Sequence, residues 1–253
     1  MKKDTIMGVS INIDGEEAII KTLEAFIQNG RKGQVLACAN PHSIIESMKD
    51  AEFREALNSA DILLPDGIGV VLASKILGGN IKKRISGPDI FLEFTKVASQ
   101  KGDCKYFFYG STDETLKKIE LRIKKEFPNI EIVGLYSPPF REILAEENDR
   151  HVEMINKTGA DVLWVGMTAP KQEKWIYKNK DKLEVPLIGA IGAAFDFFAE
   201  PTKRASIFWQ RIGLEWLFRF FMEPKRLWAR NLISSPLFLA FVIKEKLKHN
   251  LFC

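Results

Sequence analysis

Asp66 closes the apolar run Ile62-Leu63-Leu64-Pro65 and is followed by Gly67-Ile68-Gly69. A carboxylate there stands at an exposed rim against apolar walls. Partial desolvation keeps its pKa from falling, which suits it to general-base work. Asp-Gly is also an ordinary turn pair, and local chemistry alone leaves the two readings level. Arg84, in Lys82-Lys83-Arg84-Ile85-Ser86-Gly87, carries the forked donors that clamp a diphosphate. A solvated basic cluster is the plainer local account of it. Asn40 can donate to a sugar hydroxyl or a phosphate, or cap a helix that starts at Pro41. Gln172 and Glu173 fall in the first turn of a helix, where the helix dipole alone accounts for Glu173.

The elements that must position these residues alternate. Strands are expected over 6–11, 34–39, 62–64, 105–109, 130–135, 162–165 and 185–188, on their apolar runs. Helical patterns lie between them, over 16–29, 41–49, 69–77, 88–100, 113–127, 141–157 and 170–180. This order predicts an α/β fold, a Rossmann-like parallel sheet with helices on both faces. Ligands in such sheets bind beyond the carboxyl ends of the strands. Five polar or Gly-rich turns fall at such ends: 38–41, 65–69, 110–112, 166–173 and 189–192, with Asp196 shortly after the last. Each alone is an ordinary tight turn. Five on one rim favour an anionic or nucleotide ligand held at helix N-termini.

Several chemistries are disfavoured. No GxGxxG with a later acidic ribose partner occurs, and no GxxxxGK[ST], so dinucleotide redox chemistry and ATP hydrolysis lack their motifs. No Asp-x-Asp pair is present to hold a diphosphate through a divalent ion, and His42, His151 and His249 lie far apart. A metal-independent site is expected, with no cofactor, in which Arg, Lys and helix N-termini neutralise phosphate. Cys38, Cys104 and Cys253 have no metal-ligand spacing and fit a reducing compartment. The opening Met1-Lys2-Lys3-Asp4 contains no apolar run of a signal peptide.

After Phe195 the strand signals stop. Residues 1–200 are expected to form the α/β body and 201–253 a helical appendage, with helices near 206–222 and 224–248. From Glu200 onward ten Lys or Arg face four Glu, a net +6, which leaves −2 for the first 199 residues of a chain whose total is +4. The tail interleaves aromatic residues with Arg211, Arg219, Arg226 and Arg230. The last three, spaced by seven and four, share one face of a continuous helix. A basic face beside an aromatic one suits an interfacial helix on an anionic leaflet. The first tail helix is expected to be the more packed and the second the more exposed, with self-association in water. No stretch reaches the roughly 20 apolar residues of a spanning helix. The modest charge and the missing RNA motifs argue against nucleic acid.

Four groups of residues together carry a family resemblance. The first joins Ala39-Asn40-Pro41 to the run from Ala60 through Asp66-Gly67-Ile68-Gly69 to Val71. The second is Arg84 with Ser86-Gly87 and Asp89, and the third is Gly166 with Pro170-Lys171-Gln172-Glu173. The fourth runs from Gly192-Ala193-Ala194-Phe195-Asp196 through Arg204-Ala205 and Arg211–Trp216 to Glu223-Pro224-Lys225-Arg226. In this order, over nearly the whole chain, they resemble the WecG/TagA/CpsF glycosyltransferases. The resemblance implies an inverting transfer from a UDP-sugar to a lipid-linked acceptor at the cytoplasmic face of a bacterial membrane. In the TagA branch, N-acetylmannosamine goes from its UDP form to N-acetylglucosamine on undecaprenyl diphosphate, priming wall teichoic acid. Other branches use UDP-N-acetylmannosaminuronic acid or a UDP-hexose.

By the same resemblance Asp66 is the base and Arg84 stabilises the leaving diphosphate. Cys38, Asn40, Gln172, Asp196, Gly110, Gly166 and Lys171 make up the donor site, and the four tail arginines meet the membrane or the acceptor diphosphate. Two positions depart from the pattern. Cys38 stands where the family usually has Thr, and a thiol is a much weaker hydrogen-bond partner than a hydroxyl. The usual Gly before the Arg-Ala-Pro stretch is missing from Phe198–Ser206. Two other readings stay open: a non-catalytic UDP-sugar-binding protein on the membrane, and a small-molecule Rossmann-like enzyme whose tail only mediates oligomerisation.

Overall fold

A computed structural model describes residues 1–102, 104–200, 205, 209, 215–222 and 233–251. The chain opens with a hairpin of two short strands, β1 (Lys3–Ile6) and β2 (Val9–Asn12), paired antiparallel. This corrects the expected single strand over 6–11. Met7 and Gly8 both take positive φ, 51° and 80°, the conformation of a two-residue hairpin turn, and the chain reverses there. The hairpin lies outside the main sheet and braces its edge: the Asn12 Oδ1 accepts from the Leu63 N–H at 2.7 Å.

Six strands form the parallel sheet: β3 (Gln34–Ala39), β4 (Ile62–Pro65), β5 (Cys104–Gly110), β6 (Ile130–Tyr136), β7 (Val162–Gly166) and β8 (Leu187–Ala190), in the order β4-β3-β8-β7-β5-β6. The last strand lies two residues later than its apolar run suggests. The crossovers are helical. The first of them, α1 (Glu16–Gln28), leads into β3, and α2 (Pro41–Lys49) and α3 (Ala51–Asn58) join β3 to β4. Next come α4 (Ile68–Leu77) and α5 (Gly87–Lys101), then α6 (Asp113–Glu126), α7 (Ala145–Asn156), α8 (Lys171–Asn179) and the short α9 (Ala194–Ala199). The sequence reading passes over α3. It is a two-turn helix that buries Phe53, Ala56 and Leu57 at helical spacing and starts at a cap where the Phe53 N–H donates to Asp50.

Strand alternation divides the core in two. Val35, Ala37, Tyr109 and Leu163 face one layer with the hairpin, α2, α3, α7 and α8. Leu36, Tyr106, Phe108 and Trp164 face the other with α1, α5, α6 and α9. Helices thus cover both faces, as a buried parallel sheet requires.

The tail departs from expectation. In the helix Ser235–Leu251, Phe238 and Val242 are fully buried, in one core with Ile44 of α2 and Val70 and Ala73 of α4. In the helix Glu215–Met222, Phe221 is 73% and Met222 58% exposed. Among the described residues the later helix is therefore the packed one. α2 and α4 offer it an apolar face that the body alone leaves uncovered. No helix among those residues is long and apolar enough to cross a membrane.

Candidate active site

All six parallel strands end on one rim, so the five turns meet there as expected. The β3 and β4 ends lie side by side, with Ala39 paired to Pro65. The Asp66 N–H donates to the Ala39 carbonyl at 2.8 Å, which sets Asp66 beside Asn40. Gly67 begins α4 at φ 97°, and a side chain at Gly69 would meet Pro41 Cγ at 2.5 Å. The two glycines let α4 start against α2 and leave Asp66, half-buried, between them. The Ile85 N–H donates to the Pro65 carbonyl at 2.9 Å, which brings the preceding Arg84 to the same strand end. Ser86 and Gly87 then open α5, and the Ser86 hydroxyl donates to Asp89 at 2.5 Å. Asn40 is the N-cap of α2: its Oδ1 accepts from the Ser43 N–H at 3.1 Å, and the Ser43 hydroxyl returns the contact. The capping reading of Asn40 thus holds.

The structure brings Cys38 to this cluster as well. Its thiol lies against Gly87, whose N–H donates to it, and near Ile191 beyond β8. Burial, then the negative charges of Asp66 and Glu173, push the thiol well above its ordinary value. Cys38 is therefore a neutral, weak hydrogen-bond partner and not a nucleophile. Gln172 meets the same cluster from α8, its amide packed on Gly192. Its Nε2 donates to Glu173 Oε1 at 2.9 Å. Glu173 is buried, and burial pushes its carboxyl up to about 7 despite that hydrogen bond. The helix-dipole account of Glu173 misses this. An acid in a helix first turn carries no sign, in sequence, of which rim loops will close over it.

The other site residues flank this group. Gly110 and Gly166 are neighbours on β5 and β7, and each is explained by packing. A side chain at Gly110 would meet the Gly166 carbonyl at 2.6 Å, and one at Gly166 the Phe195 ring at 2.3 Å. The same close approach joins the Ser111 N–H to the Gly166 carbonyl at 2.9 Å. Asp196 sits on α9 next to that ring, and Lys171 is exposed at the start of α8. Farther along the rim, His151 joins Tyr109 (3.0 Å) to Tyr136 (2.9 Å), and Trp175 stacks on Tyr109 and donates to Asn148. From the tail, the Ser234 hydroxyl and His42 Nδ1 are 2.9 Å apart, which ties the later helix to the first turn of α2 beside Asn40. Arg211, Arg226 and Arg230 lie outside the described residues, as does the side chain of Arg219.

The model of the WecG/TagA/CpsF glycosyl transferase family matches residues 5–251. The chain belongs to this family. It is a glycosyltransferase. Relatives named N-acetylglucosaminyldiphosphoundecaprenol N-acetyl-beta-D-mannosaminyltransferase match nearly end to end. The one from Bacillus spizizenii (strain W23) is 34% identical over 92% of this chain and 88% of its own length. Those from Bacillus subtilis (strain 168) and Staphylococcus aureus (strain MW2) are 30% and 27% identical, each over 97% of this chain and 93% and 94% of their own. The end of β4 thus has Asp66 and the segment of Arg84 beside it, and the start of α8 carries a buried amide–carboxyl pair.

Proposed function

We propose that this glycosyltransferase moves N-acetylmannosamine from UDP-N-acetylmannosamine onto N-acetylglucosamine carried on undecaprenyl diphosphate, with inversion, in wall teichoic acid synthesis. The names of its relatives support the donor sugar and the acceptor. The observation that carries the mechanism is the convergence on β4: Asp66 follows the strand, and Arg84 is brought to it through the bond from Ile85 to Pro65. Asp66 takes the acceptor hydroxyl proton as that oxygen bonds to the anomeric carbon. The bond from that carbon to the diphosphate breaks, and its electron pair leaves with UDP. Arg84 and the N–H groups opening α5 and α8 offset the charge on the leaving group. Asn40, Gln172, Asp196 and Lys171 hold the donor. A single displacement inverts the centre and requires no covalent nucleophile, in keeping with the neutral thiol of Cys38.

The phosphate charge is met by these groups without a divalent ion, so turnover persists in EDTA. The basic, aromatic tail holds the enzyme peripherally on the cytoplasmic leaflet, where its arginines reach the acceptor diphosphate. Reversing the charge of Arg219 and Arg226 is expected to lower both liposome binding and turnover. The decisive assay is UDP release from UDP-N-acetylmannosamine with a short-chain lipid-diphosphate N-acetylglucosamine, beside Asp66→Asn. Acceptor-dependent release that the variant abolishes supports the reading. Tight UDP binding with no release from any UDP-sugar supports instead a non-catalytic donor-binding protein, the reading that Cys38 in place of Thr favours.

A further inference from the structure

Two buried polar atoms at the start of α8, Gln172 Oε1 and Glu173 Oε2, have no partner among the described residues. Both residues are only 5% exposed. Buried side-chain polar atoms in native proteins nearly always have a partner, and one left without it loses its hydration uncompensated. Gln172 Oε1 is an acceptor, and so is Glu173 Oε2 once its carboxyl is ionised, as it is at pH 8. The Gln172 amide is oriented by its Nε2, which donates to Glu173 Oε1, so its carbonyl oxygen is the atom left over. An amide oxygen beside a carboxylate oxygen repels phosphate and calls for O–H or N–H hydrogens. A sugar ring with hydroxyl and acetamido groups supplies them.

Place decides which sugar. The Gln172 amide packs on Gly192, the Cys38 thiol and Ile191 both lie against Gly87, and the Asp66 N–H donates to Ala39 beside Cys38, so the ends of β3, β4 and β8 and the start of α8 border one region of the rim. In the proposed transfer both rings meet near Asp66, but the N–H groups opening α8 face the leaving diphosphate, and the ring attached to that diphosphate is the one being transferred. We infer that Glu173, together with Gln172, binds the transferred hexosamine of the donor, Glu173 Oε2 and Gln172 Oε1 accepting hydrogens from its ring substituents. Glu173 itself takes no proton from the acceptor. Its side chain is enclosed and half-committed to Gln172, whereas Asp66 is half-exposed. Of the charged groups on α8, Lys174 is held by Asp50 and Glu52 of α3 and does not neutralise Glu173.

This assignment rests on the transferase reading, and a binding experiment separates the two. Calorimetric titration of the full chain at pH 8 compares UDP-N-acetylmannosamine with UDP, which shares everything but the sugar. Wild type is expected to bind both. Glu173→Gln is expected to keep its UDP affinity within about twofold and to lose about tenfold or more for the UDP-sugar, the effect of removing a hydrogen bond to a charged group. Glu173→Asp keeps the charge and withdraws the oxygen by one methylene. It should show the same selective loss, and it serves alone if the Gln variant does not fold. Equal loss for both ligands, or undiminished UDP-sugar binding, overturns the hexosamine contact while leaving the transferase reading in place. A wild-type chain that binds neither ligand overturns the donor reading and this contact with it.

Discussion

The two ends of the rim bury polar side chains in opposite ways. Beyond β5 and β6, His151 joins two tyrosine hydroxyls, while Trp175, Asn148 and Asn179 complete one another. Around β3, β4 and the start of α8, a carboxyl and an amide keep one oxygen each unpaired. A closed network fixes shape, because every bond is made before any ligand arrives. An open one stores unmet hydrogen-bonding capacity that a ligand can satisfy. Residue type does not separate the two ends, since both contain aromatic and titratable groups.

Substitutions should break this contrast in different observables. The largest effect is expected at Asp66, where Asp66→Asn should lower turnover about 10³-fold, the scale of a lost general base, with UDP affinity retained. A kinetic titration against UDP release measures both.

Next in size is a stability effect with a defined sign. The Glu173 carboxyl rises from 4.5 to about 7 on folding. As pH climbs, the unfolded chain loses this proton first, so the folded state loses stability between about pH 4.5 and 7 and levels off above. At 1.36 kcal/mol per unit the loss approaches about 3 kcal/mol. Glu173→Gln escapes it. Denaturant midpoints should match wild type near pH 4.5 and exceed it at pH 8, so a variant that weakens donor binding should make the ligand-free protein more stable.

In the closed network the opposite is expected. His151→Phe strands the hydroxyls of Tyr109 and Tyr136 and should cost about 2 kcal/mol in the unfolding midpoint at pH 8, with donor affinity unchanged. Burial already holds His151 below its ordinary value, so that cost should vary little above pH 7. The smallest change is Cys38→Thr. A hydroxyl for a neutral thiol at the donor edge should tighten UDP-sugar binding about fivefold or less, measured by the same titration.

The sheet and the rim were legible because buried parallel strands are uninterrupted apolar runs and their loops must emerge together. Asp66 and Arg84 were legible as candidates, and only the backbone bonds around Pro65 bring them to one strand end. The hairpin was not, because Met7, Val9 and Ile11 alternate as in a single strand. The reversal lies in the left-handed backbone of Met7, a residue type that does not advertise it. The packing of Gly110 and Gly166 against each other and Phe195 was not legible, because it joins segments distant in the chain. Glu173 stayed hidden for the same reason. Its burial arises only in the folded chain, and no window of the sequence shows it.

The seating of Phe238 and Val242 against α2 and α4 bears on the order in which the protein is made. The helix that covers this face is made after the sheet and the helices α1 to α9. All of these are synthesised while Ile44 and Val70 still lack their lid. A nascent chain paused near residue 200 therefore shows an apolar trough next to the Asn40 turn, a surface for a chaperone or a bilayer to shield until the later helix emerges.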